Sequence, residues 1–202
     1  TREAAQKILF ELKKVNDKST FIDLGCGSAR LLIRAALNNT NINCFGIDTD
    51  PAIVAEARKN ITGAGCENAA TILNANAADI ESWRNRIPKE RLNIFLASAM
   101  FHELLRDGDD KFISLLRQFK NVFPGSRFFV VEFDAPSAQQ IKDELDEERK
   151  FFAAMYMLIH PLTNQGLPRP QKDWLSLFNA GGWLVTNTMR TSNNLVVYDC
   201  SL

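Results

Sequence analysis

The sequence predicts an α/β protein built on one doubly wound, seven-stranded sheet, mostly parallel, with its last strand antiparallel. Three observations carry that prediction. Short apolar and β-branched runs alternate with stretches of helical period along most of the chain. The first such run, Phe21-Ile-Asp-Leu24, leads into Gly25 and Gly27 and then directly into a helix-forming segment. The chain closes on two strand-like runs joined by Thr191-Ser-Asn-Asn194, the pattern of a hairpin.

Each element follows in order. Ala4, Ala5, Ile8, Leu9 and Leu12 recur at helical spacing, which predicts a helix from residue 2 to about 16. Strand 1 is Thr20–Leu24, and a helix over 27–38 stops at Asn38-Asn39, residues that tolerate a left-handed stop. Cys44–Ile47 forms strand 2. Asp50 then caps, and Pro51 begins, a helix over 51–62 closed by Gly63. Strand 3 is Thr71–Leu73, and a short helix near Ile80–Arg86 leads past Pro88 to strand 4 at Leu92–Ala97.

A helix over 101–122 ends before Pro124-Gly125. Strand 5, Arg127–Phe133, is rich in aromatic and β-branched residues. Ser137 caps a long helix running to about Ile159, charged in its first half and apolar in its second. A loop over Leu162–Pro170, a helix over Lys172–Ala180 and strands Trp183–Arg190 and Leu195–Cys200 complete the chain. No composition shift or repeat divides it, so residues 1–202 read as a single domain.

Composition narrows the function classes. With 202 residues, 46% hydrophobic and 24% charged, the chain can bury a full core. Lysine plus arginine equals aspartate plus glutamate at 24 each, so no basic footprint for nucleic acid or an anionic membrane is expected. No apolar run approaches the roughly 20 residues of a membrane span. The charged, helical opening residues predict no signal peptide. Cys26, Cys44, Cys66 and Cys200 lack paired spacing and suit a reducing, cytoplasmic setting. A chain opening on Thr1 also admits an upstream segment, or an oligomer, that completes it.

The glycine corner points to a nucleotide-like ligand at the carboxyl end of strand 1. A dinucleotide fingerprint needs a third glycine where this chain has Arg30, so the pyrophosphate reading weakens. Strand 2 ends in Gly46-Ile-Asp48, which sets an acidic side chain where a ribose would offer its hydroxyls. Asp23-x-Gly25-x-Gly27 followed by Asp48 resembles the cofactor motifs of class I S-adenosylmethionine (SAM)-dependent methyltransferases.

That resemblance implies a Rossmann-like methyltransferase fold with SAM as cofactor. The implied cofactor residues are Asp23, Gly25, Cys26, Gly27, Asp48, Thr49, Asn76, Ala77 and Ser98. The family usually has aspartate after strand 3 to read the adenine; here Asn76 stands there, and Asp79 is an alternative.

The substrate half carries a second resemblance. Ser98-Ala-Met-Phe-His102-Glu-Leu104 lacks the Asn/Asp-Pro-Pro-Phe/Tyr of nucleobase and protein amino-methyltransferases. Its His-Glu-Leu is similar to the His-Asp-Trp of small-molecule O-methyltransferases, which implies His102 as general base and Glu132, at the end of strand 5, as its orienter. The later loop, helix, glycine turn and hairpin follow in that family's order. Two departures are Pro168, where a second acidic residue is expected, and the missing N-terminal dimerisation domain.

Met100, Phe101, Phe152, Met155, Tyr156 and His160 are candidates to line an apolar substrate pocket, with plain core as the alternative. His102 as a helix-start residue in a satisfied hydrogen bond, and Glu132 as a contact of its own loop, are alternatives too. His102, His160 and Glu132 have the residue types of a two-histidine, one-carboxylate iron site but not ligand spacing, so no metal is expected.

The expected function is methyl transfer to a small, partly apolar metabolite at oxygen, a biosynthetic activity. Carbon or nitrogen methylation by proximity, a module of a larger biosynthetic enzyme and a non-catalytic SAM-binding domain are the alternatives.

Overall fold

The computed structural model describes residues 2–15, 18–88, 91–143, 146–163, 165–192 and 194–202; the side chains of residues 138, 149 and 152 lie outside that description. β1, Ser19–Leu24, is buried along its whole length, as a strand covered on both faces must be. It pairs in parallel with β2 (Ile42–Asp48) on one side and β4 (Leu92–Ser98) on the other. With β3 (Ala70–Asn74), β5 (Arg127–Phe133), β6 (Leu184–Arg190) and β7 (Leu195–Ser201), the order is β3-β2-β1-β4-β5-β7-β6. β7 runs antiparallel to both of its neighbours, β5 and β6. The chain reverses its direction of sheet-building between β1 and β4, and open sheets of this kind bind ligands at that reversal.

Helices α1 (Arg2–Lys13), α2 (Arg30–Asn38) and α3 (Pro51–Gly63) cover one face. On the other lie α4 (Ile80–Trp83), α5 (Phe101–Leu104) and α6 (Asp109–Val122). From β5 the chain passes through α7 (Ala138–Asp143) and α8 (Glu147–Leu162) to α9 (Gln171–Ala180), which joins that second layer. Strand parity sorts the side chains. Phe21, Ile94, Leu96, Phe129 and Val131 pack under α1–α3, while Ile22, Phe95, Phe128 and Val130 pack under α4–α6. The second layer is aromatic, with Trp83 stacked on Phe123 at 5.7 Å and Phe95 on Phe128 at 5.2 Å.

Several boundaries differ from the sequence expectation, each for a local reason. The helix expected over 27–38 begins at Arg30, because Gly27 and Ala29 take left-handed φ values of 51° and 62°. Asn39 is extended rather than left-handed, and its Nδ2 donates to the Leu12 and Val15 carbonyls. The stop of α3 falls past Gly63, at Ala64 and at Gly65 with φ 66°. The helix expected over 101–122 breaks at Gly108, whose φ of 98° no helix accommodates. The helix expected from Ser137 to about Ile159 is two: Ser137 and Gln140 exchange capping-box bonds at the start of α7, and α8 starts anew at Glu147. The first helix ends at Lys13, and residues 16 and 17 at its expected end lie outside the described residues.

Gly46 lets the glycine corner sit against β2. A Cβ there would lie 2.6 Å from Ile72 Cδ1 and 2.7 Å from Cys26 Sγ. Gly46→Ala should therefore lower stability by about 1–3 kcal/mol through overpacking, read as a lower urea midpoint with an unchanged slope.

Candidate functional site

β1 ends at Leu24, and Gly25 then turns the backbone with φ 69° while its N–H donates to Ile47 O at 2.8 Å. This fastens the glycine corner to the end of β2. Asp48 completes the tie: its Oδ2 accepts from Gly27 N–H at 3.0 Å and its Oδ1 from Asp50 N–H at 3.1 Å. The Asp48 carboxylate is half-buried and so bridges two loops while still facing solvent. Asn74 supports it from β3, its Nδ2 donating to the carbonyls of Asp48 and Thr49 at 3.1 and 3.0 Å. Sequence reasoning missed Asn74, because nothing local ties a strand-end amide to a loop 25 residues earlier in the chain.

A cleft of about 430 Å³ opens at this corner, floored by Asp23, Gly25, Cys26, Gly27 and Ser98 and walled by α1 and α2. A Cβ added to Gly27 would meet nothing within 4 Å, so the corner's backbone faces open space. Asp23 is buried, and desolvation, with the Asp48 charge behind it, pushes its carboxyl up to about 7. Such a floor suits a ligand that brings a positive group. The share of α1 in this wall was not legible, since its apolar period announces core and nothing more.

The second half of the site lies at the ends of β4 and β5. Ala99 leaves β4 with φ 53°, and its N–H donates to Val131 O at 2.8 Å. Glu132 is fully buried: its Oε1 accepts from Phe101 N–H at 2.7 Å and His102 N–H at 3.2 Å, and its Oε2 lies 2.8 Å from His102 Nδ1. A carboxylate can only accept, so Nδ1 carries the proton and Nε2 holds the lone pair. Burial pulls the His102 pKa down, but the hydrogen bond and charge of Glu132, with Glu103 beyond, outweigh it and raise the pKa above 6.5. Gly166, far along the chain, presses on the same turn, where a Cβ would overlap His102 O. This contact, too, left no mark in the sequence.

His160 meets His102 edge to face, with ring centroids 4.8 Å apart, and its Nδ1 donates to Tyr156 O at 2.6 Å. Tyr156 in turn lies 4.5 Å from both His160 and Phe133. Met100, two residues before His102, reaches toward the glycine corner, its Sδ 3.5 Å from where a Gly25 Cβ would stand. The other pocket candidates do not join. Phe101 is completely buried against Phe112 and Phe128, because the backbone bonds to Glu132 turn it into the aromatic core. Met155 is 47% exposed, one step round α8 from Tyr156, and the side chain of Phe152 lies outside the described residues. After β3, Asn76 is exposed and its Oδ1 accepts from Ala78 N–H at 2.9 Å; Ala77 is buried beside it, and the Asp79 side chain is exposed. Among the described residues, no group of three or more His, Cys, Asp or Glu is arranged to hold a metal ion, and no helix is long and apolar enough to cross a membrane.

A parallel sheet with an antiparallel penultimate strand, a glycine corner at the reversal point and an acidic residue on the next strand define a class I methyltransferase domain. The chain belongs to that family: the model for a methyltransferase domain matches residues 15–182. Membership implies SAM as the methyl donor. A tRNA (guanine-N(7)-)-methyltransferase of Clostridium kluyveri is 35% identical over 79 residues, 39% of this chain and 37% of its own length. Methyltransferase ungE' of Aspergillus campestris is 24% identical over 80% of this chain and 47% of its own. Among solved structures, an O-methyltransferase family protein of Burkholderia thailandensis superposes with a TM-score of 0.71 at 13% identity, covering 98% of this chain and 55% of that one. The chain thus spans about half, or less, of the length of these proteins.

The buried Asp23 carries a cost of folding that pH reveals. The folded state keeps its proton up to about 7 while the unfolded chain releases it near 3.8. Between those values the folded state binds more protons, so stability falls as pH rises. Asp23→Asn should flatten that decline. Relative to wild type, it gains several kcal/mol between pH 3.5 and pH 8, which urea unfolding at several pH values reads directly.

Proposed function

We propose that this domain transfers a methyl group from SAM to a hydroxyl of a small, partly apolar metabolite. The observation that carries the reading is the buried His102–Glu132 pair, 2.8 Å apart, with Met100, two residues before His102, reaching to Gly25 of the glycine corner. A neutral imidazole oriented by a carboxylate is what a hydroxyl acceptor needs and what a stronger nucleophile does not. The composition and the absence of an Asn/Asp-Pro-Pro-Phe/Tyr segment favour a small molecule over nucleic acid.

Under this reading Asp23, Gly25, Cys26, Gly27 and Ser98 hold the amino-acid end of SAM, Asp48 and Thr49 its ribose, and Asn76 and Ala77 its adenine. When bound, SAM supplies a methyl group on a sulfonium centre, activated for in-line displacement. The chain's task is alignment and proton removal. Glu132 fixes the Nδ1–H tautomer, so Nε2 of His102 accepts the hydroxyl proton as the acceptor oxygen takes the methyl group. The imidazolium then rests against the Glu132 carboxylate, which stabilises it. Tyr156 and His160 form the side of the acceptor pocket, with Met100 toward the donor.

His102→Ala should abolish turnover, by more than about a hundredfold, while calorimetry shows SAM bound as before. Turnover retained in that variant would sink the base assignment and favour methylation by proximity at nitrogen or carbon.

The base must be neutral to act, so kcat/KM should rise with pH through a value above 6.5. Glu132→Gln removes the influences that raise that value, so the rising limb should move to lower pH while the plateau rate drops. A limb that stays in place in this variant's pH–rate profile would speak against the pairing as the source of the titration.

A further inference from the structure

Three charged groups in the cleft remain without a role in the reading above. Arg2 of α1 and Arg30 and Arg34 of α2 line it together with Asp23. Arg30 and Arg34 are one helical turn apart and share a face of α2. Arg84, Arg127, Arg169 and Arg190 each reach a carboxylate of this chain. Among the described residues, the guanidinium groups of Arg2, Arg30 and Arg34 make no hydrogen bond or ion pair with the protein. In a chain of zero net charge, three guanidinium groups without partners around one opening are a local concentration of positive charge.

The cleft is therefore bipolar. Its floor is a buried carboxylate, Asp23, and its rim is cationic. Small residues of α1, Ala4 and Ala5, line the space beside the rim and leave it open. α2 also begins at Arg30 with no acidic side chain in its first turn, so the free N–H groups of that turn add to the positive field. A ligand matching this charge pattern carries an ammonium and a carboxylate on adjoining atoms, as an α-amino acid does.

We propose that Arg30 and Arg34, with Arg2 across the cleft, are positioning residues that grip the α-carboxylate of the cofactor's methionyl tail while Asp23 faces its ammonium. The inference rests on the SAM reading and deepens it. The site selects donors that keep the α-carboxylate and discriminates against the same sulfonium nucleoside without it. The planar guanidinium fork matches a carboxylate in two parallel hydrogen bonds, which explains arginine here rather than lysine. It also gives Arg30 a purpose at the position where a dinucleotide-binding loop would need glycine.

The test is calorimetric titration of the whole chain with SAM and with decarboxylated SAM. Wild type should bind SAM more tightly than its decarboxylated form by about ten- to a hundredfold, the range of a charge-assisted contact. The double variant Arg30→Ala/Arg34→Ala should lose most of that preference, weakening for SAM while its affinity for decarboxylated SAM stays within about twofold. That retained affinity also serves as the folding control. Equal weakening toward both nucleosides, or no weakening toward SAM, overturns the carboxylate grip and leaves the SAM reading intact. A wild-type chain that binds neither nucleoside overturns the SAM reading and this inference with it.

Discussion

The geometry of the candidate active site depends on one buried carboxylate. Glu132 accepts two backbone N–H groups at the start of α5 and the Nδ1 proton of His102, so both of its oxygens are occupied inside the protein. α5 is four residues long, far too short to hold itself together in water. Its orientation is imposed by Glu132 from beneath and by the Gly166 loop, whose backbone lies directly against His102 O. Loss of the carboxylate would leave buried donors without partners, at a cost of about 1–3 kcal/mol for each. The imidazole is thus held by the fold, not by its own short helix.

Strand parity explains how the glycine-corner cleft and the His102–Glu132 pair lie close together on opposite layers of the sheet. Asp23, Ser98 and Val131 line the cleft with Leu96, on the face covered by α1–α3. Glu132 follows Val130 by two residues and so faces the opposite layer, with His102 beside it. The two halves approach one another only over the carboxyl edge of the sheet, at the ends of β4 and β5. Met100 spans that edge toward Gly25. A slip of one residue in β4 or β5 would exchange the faces and separate the halves, so register here decides whether the two halves of the candidate site meet.

Much of this was legible in the residues themselves. The strands announced themselves by composition, the glycine corner by its backbone demands, Asp50-Pro51 by its cap, and the closeness of His102 and Glu132 by a family resemblance that set them at the ends of adjacent strands. These features are local or follow from strand order. What escaped depended on contacts between distant segments. Gly46 is needed because Cys26 packs against it, Gly166 because His102 O lies where its Cβ would be, and Asn74 because two loop carbonyls face it. Gly108 broke a helix that period alone would continue, since a left-handed φ is invisible to hydrophobic spacing. Phe101 looked like a pocket residue and is core, because Glu132 fixes the rotation of α5.

α1 shows how a wall of the cleft at the glycine corner is fastened by the far end of the chain. Its Glu3 accepts from Ser192 N–H at 2.8 Å, in the turn of the terminal hairpin. Glu11 meets Arg127, which in turn grips Asp199 of β7. Burial pushes the Glu11 carboxyl up, yet Lys14, Lys7 and Arg127 together hold it down at about 2, so this fastening persists through the neutral range and well into acid. Asn39 secures the end of the helix through the Leu12 and Val15 carbonyls. A wall held at three points costs little to order when a ligand arrives, and preorganisation of this kind favours affinity. The opposing term is Asp23, buried beneath that wall with no ion pair to a cation of the chain among the described residues. Its burial opposes the folded state increasingly as pH rises toward about 7, and the fastening of α1 works against that term.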